Sequence, residues 1–124
     1  MNTFIKLLLA YVIIVIIDNL YIYFNKSMYE KIIDPTEQIN FIYALLTWIV
    51  IIISIELLVL SRPDINSNNS FVYGAYLGFA MYALWNTTNF AIYPSKWNNN
   101  ILIVDTLWGT TLTGTMSYIM YNYL

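Results

Sequence analysis

Residues 41–60 read FIYALLTWIVIIISIELLVL, an unbroken apolar run with a single charge, Glu56. At about 1.5 Å rise per residue, a helix of this length covers about 30 Å, the thickness of bilayer hydrocarbon. The run is rich in isoleucine, which also suits strands. A membrane barrel strand, however, alternates apolar and polar faces, and this run is apolar on both. In lipid each backbone group must find its partner within the segment, so a helix is the form that fits.

Three further segments match this one in length and character, at residues 4–24, 71–92 and 101–123. The connections between them hold all three prolines, Pro35, Pro63 and Pro94, where a missing N–H does least harm. Tyr21, Tyr23, Tyr93, Trp97 and Tyr121 stand at segment ends, as interfacial anchors do. The expected fold is therefore all-α: a polytopic membrane protein of four transmembrane helices in a compact bundle, one domain over residues 1–124. Met1–Lys6 followed by Leu7–Ile17 has the outline of a signal peptide. No A-x-A-like site follows, and Asp18-Asn19-Leu20 runs on into more apolar residues, so retention of this span is expected.

Composition agrees. Sixty per cent of the chain is hydrophobic and ten per cent charged, against about 25% charge in soluble domains. The net charge of −2 and the lack of a Lys/Arg-rich run exclude nucleic acid as a partner. Cys and His are both absent. That removes disulfides, thiolate chemistry and Cys- or His-ligated metals, along with the usual neutral-pH general base. No metal and no cofactor is expected. The frequent Asn, Ile and Tyr match the coding bias of an AT-rich genome, such as a low-GC microbe or a large DNA virus. A viral source would place the chain in a host or virion membrane.

The polar exceptions inside the spans carry the functional reading, because ionisable groups in a membrane are costly and face the bundle interior. Call the N-terminal side of the first span face A and the other face B. Asp18 then lies in the B half of the first span, Asn86 and Asn89 near the B end of the third, and Asp105 about one turn into the fourth from B. Asp105, Trp108 and Gly109 share one helix face at i, i+3, i+4. The expected intramembrane cluster is thus Asp18, Asn86, Asn89, Asp105 and Trp108. Gly74 and Gly78 form a GxxxG pair that admits close helix approach. With Gly109 they are the expected packing glycines, and the glycine face is a candidate surface for a second copy or another membrane protein. Glu56 lies near the A end of its span, level with Lys6, and either an interfacial ion pair between them or snorkelling to water is expected.

These motifs, Gly74-x3-Gly78, Tyr82-x3-Asn86-x2-Asn89 and Asp105-x2-Trp108-Gly109, together with Asp18, resemble the small four-helix membrane proteins catalogued as domain of unknown function 2177. The resemblance covers essentially the whole chain. It implies the four-helix fold and marks Asp18, Asn86, Asn89, Asp105, Trp108 and Gly109. Members often carry an acid where this chain has Asn86. The resemblance implies no activity.

Three functions fit these residues, the first being the expected one and the others its alternatives. The cluster could fix the packing of a structural or scaffolding protein. It could bind or modify lipid, with Asp18 or Asp105 as acid/base, because carboxyls in low dielectric are the remaining means of proton transfer. Or it could serve a proton- or cation-coupled carrier of small solutes. Membrane lipids are the expected surroundings in each case.

Overall fold

The computed structural model describes all residues, 1–124, and is helical throughout, without strands. Helix α1 spans Thr3–Phe24, a short α2 spans Lys26–Glu30, α3 spans Phe41–Ile55, α4 spans Ser70–Ile92 and α5 spans Asn99–Tyr123. α3 continues into a π turn at Glu56–Leu60, so together they fill the expected span. π turns of this kind re-aim side chains within a helix; this one begins at Glu56, the residue that turns toward Lys6.

Asparagine starts three of the long helices. Asn2 accepts from the Phe4 N–H, Asn40 from Ile42 and Tyr43, and Asn98 from Ile101. Such caps satisfy orphan donors of the first turn. Part of the asparagine excess thus has a structural role beyond coding bias. On face A, Asp64 accepts from Tyr73 and Arg62, and these bonds hold its exposed carboxyl below the usual carboxylate range.

α4 and α5 form the tightest pair, and the glycines are the reason. Gly78 lies against the Gly109 carbonyl and Thr113, Gly74 against Ser117, and Gly109 beneath the Tyr82 ring, with no room for a Cβ at any of them. The glycine face is therefore filled within the chain. α1 packs on α3 and α5, and the π turn meets α4. α3 and α4 do not pack along their lengths, which leaves a gap between them.

Beside an apolar core, the bundle buries a set of polar groups and turns a largely apolar surface outward. Ser70, Asn86, Asn89, Asp105, Thr106, Thr113 and Ser117 are buried. Large apolar side chains face outward on every long helix, including Phe4 at 72% exposure, Leu57 at 64%, Leu84 at 69% and Leu107 at 61%. Exposed apolar surface on this scale needs an apolar solvent or a partner. By length and hydropathy, two helices suffice to cross a membrane: α1, with mean hydropathy 2.2, and α3 with its π turn, with 2.5. Many of the exposed polar side chains bond back to their own helix. Asn19, Thr47, Thr87, Thr111 and Asn122 each donate to the carbonyl four residues earlier, which satisfies the donor within the helix.

Candidate functional site

Asp18 and Asp105 each occupy the centre of a separate hydrogen-bond set. Asp18 accepts from two indoles: Trp48 Nε1 donates to Oδ2 at 2.9 Å and Trp108 Nε1 to Oδ1 at 2.8 Å. An indole N–H can only donate, so in an apolar bundle it needs such an acceptor. Asp18 thereby ties α1 to α3 and α5. Trp108, expected beside Asp105 on its own helix, points across to Asp18 instead. Its ring stacks on Tyr21, with centroids 4.1 Å apart and planes 5° from parallel.

Asp105 is buried. Its Oδ1 accepts from the Tyr29 hydroxyl at 2.5 Å and its Oδ2 from Asn86 Nδ2 at 2.7 Å. Tyr29 comes from α2, in the connection on face B. Its oxygen also lies 3.1 Å from the Tyr21 hydroxyl. Tyr29 has one proton, directed to the carboxylate, so Tyr21 is the donor in that second bond. Burial and the bond to Asp105 both push the Tyr29 hydroxyl above the ordinary tyrosine range.

Asn86 is fully buried, and its orientation follows from its neighbours. Trp97 Nε1 donates to Oδ1 at 3.1 Å, so the amide oxygen faces Trp97 and the amino group faces Asp105. The same amino group lies 2.9 Å from the Tyr82 carbonyl and 3.3 Å from Thr106 Oγ1. Trp97, read from sequence as an interfacial anchor, is a buried member of this set. Asn89 stands apart, donating at 2.8 Å to the Trp85 carbonyl of its own helix.

The two carboxylates do not hydrogen-bond to each other. They are joined through Trp108, Tyr21 and Tyr29: a stack, then two hydroxyl bonds. An apolar core, including Ala10, Ile14, Ile51, Ile52, Ile55, Leu112 and Met116, separates this layer from face A. Beyond it Lys6 Nζ lies 2.9 Å from Glu56 Oε2, both side chains mostly buried. The pair is close, but its angles fall short of a directed hydrogen bond.

The gap between α3 and α4 is a cavity of about 490 Å3. Thr47, Val50 and Ile51 line it from α3, Met81, Tyr82 and Trp85 from α4, and Asp105 from α5. Its size falls in the range of ligand pockets, about 300–1,000 Å3, and it has their usual make-up of apolar walls with few polar groups. Asp105 is the only charged residue in the lining. No group of three Asp or Glu residues comes together as a metal-binding set would require.

A family model described as "Predicted membrane protein (DUF2177)" matches residues 3–122. No curated protein and no solved structure matches the chain. The chain belongs to this family of membrane proteins.

Proposed function

We propose that this member of the DUF2177 family is a multi-pass bundle of four transmembrane helices, a single domain, whose α3–α4 cleft takes up an amphiphile from the bilayer. The largely apolar exterior supports the four crossings. α4 and α5 are less apolar overall than α1 and α3, yet Ser70, Asn86, Asn89, Asp105, Thr106, Thr113 and Ser117 turn inward and large apolar side chains face outward beside a few threonines bonded to their own helix. With four crossings, the α1–α3 and α4–α5 connections share one face and the α3–α4 connection lies on the other.

The observation that carries the binding reading is the cleft itself. It combines apolar walls, a volume of about 490 Å3 and one carboxylate, Asp105, in its lining. Asp105 is the seventh residue of α5, about 9 Å along the helix from its face-B end, within reach of an amphiphile's head. The Tyr29–Asp105–Asn86 set fixes the carboxylate in place, as a binding group needs.

A structural role for Asp18 accompanies this reading. Both its oxygens accept from tryptophans of neighbouring helices, which leaves it to pin the bundle. A bundle in which Asp105 also serves only packing is the competing reading, favoured by the two donors that already hold its carboxylate. Titration of bilayer discs with a spin-labelled single-chain amphiphile separates the two. Saturable immobilisation of the label, lost when Val50→Trp fills the cleft, is expected for binding. Immobilisation that is absent, or unchanged in the Val50→Trp protein, leaves only the packing role.

A further inference from the structure

No cationic side chain reaches Asp105. The ion pairs of the chain are Lys6–Glu56 and Arg62–Asp64, and the two groups that bond Asp105 are a neutral hydroxyl and a neutral amide. A carboxylate in a membrane interior without a countercharge is costly, and such groups pair where a partner exists. The cleft that exposes Asp105 is lined on one side by two aromatic residues, Tyr82 and Trp85. Aromatic faces attract cations, more so when water is excluded. The Tyr82 ring is held in place over Gly109. Val50, Ile51 and Met81 complete an apolar wall.

The apolar wall gives one hydrocarbon chain a surface to lie along, and the single carboxylate gives it one place for a charged head. We propose that the occupant is a single-chain amphiphile with an ammonium head, its nitrogen against Asp105 between Tyr82 and Trp85 and its chain along the α3–α4 gap. The proposal rests on the cleft being a binding site, as inferred above, and adds the charge of what enters it.

The test is displacement of the spin-labelled amphiphile, in phosphatidylcholine discs at neutral pH, by three probes of equal chain length: dodecylamine, dodecanol and dodecanoate. Dodecylamine is expected to displace the label at least about tenfold more tightly than dodecanol, equivalent to about 1.4 kcal/mol, with dodecanoate weakest. Asp105→Asn is expected to bring dodecylamine down to the level of dodecanol. Trp85→Leu, at an exposed position, covers the case in which the Asp105 variant does not fold: it should weaken dodecylamine several-fold and dodecanol little. Equal displacement by amine and alcohol, preference for the carboxylate, or equal loss of all probes in Trp85→Leu would overturn the ammonium assignment and leave the cleft as a site. Failure of every probe to displace, with Val50→Trp binding the label like the parent protein, would instead remove the cleft reading itself.

Discussion

Tyr29 shows how one hydroxyl can organise a buried carboxylate. Its bond to Asp105 is short and charge-assisted, and the same oxygen receives Tyr21, which stacks on Trp108. Hydrogen bonds to charged groups contribute about 1.5–3 kcal/mol each. Tyr29→Phe keeps the ring and removes the donor, so destabilisation of about 1–3 kcal/mol is expected, measured by unfolding in mixed micelles followed by tryptophan fluorescence. A change below about 0.5 kcal/mol would mean that the bond is replaced by solvent. At this scale the sequence was only partly legible. Asp18, Asn86 and Asp105 could be placed by depth because helical rise converts residue number to position. The partner of Trp108 could not, since Asp105 on its own helix and Asp18 on another were equally available acceptors. Tyr29 gave no signal, lying in a charged connection without periodicity. Asn89 agreed in depth but bonds to its own helix, because depth does not determine where a side chain points.

Among the elements, the α4–α5 pair depends on close backbone approach. A Cβ at Gly78 would meet the Gly109 carbonyl and Thr113, one at Gly109 would meet the Tyr82 ring, and one at Gly114 has its nearest contact at 2.9 Å, on the Phe71 ring. Backbone yields less than a ring, and a partly exposed ring yields most. Alanine substitutions should therefore destabilise in the order Gly78, Gly109, Gly114, with the first two costing about 1–3 kcal/mol, the range for overpacking. The same unfolding assay checks the order; Gly114→Ala as the most damaging of the three would contradict this packing. The GxxxG spacing pointed to a close helix contact but not to which helix, and α5 of the same chain turned out to be the partner. The four helices themselves were legible from length and hydropathy to within two residues at each end. The π turn was not, since an added residue in a helical turn leaves no mark in an apolar run.

For the whole molecule, the proposed topology makes a clear prediction. The chain has no cysteine, so single introduced thiols report side directly. Thiols at Lys31 and Lys96 should react with an impermeant maleimide from one side of a sealed vesicle, and a thiol at Asn66 only from the other. Reaction of all three from one side would rule out four crossings. The cleft was not legible in the sequence, because it arises from the separation of α3 and α4, and that separation follows from how tightly α4 is drawn to α5. Its occupancy is the central claim. The most direct measurement is to irradiate a single-chain amphiphile bearing a photoreactive group in its tail, in bilayer discs, and to map the adducts by mass spectrometry. Saturable adducts are expected to concentrate on Thr47, Val50, Met81 and Trp85 and to be lost in Val50→Trp. Adducts spread evenly over outward residues such as Phe79, Leu84 and Ile103, with the cleft residues unmarked, would contradict this occupancy.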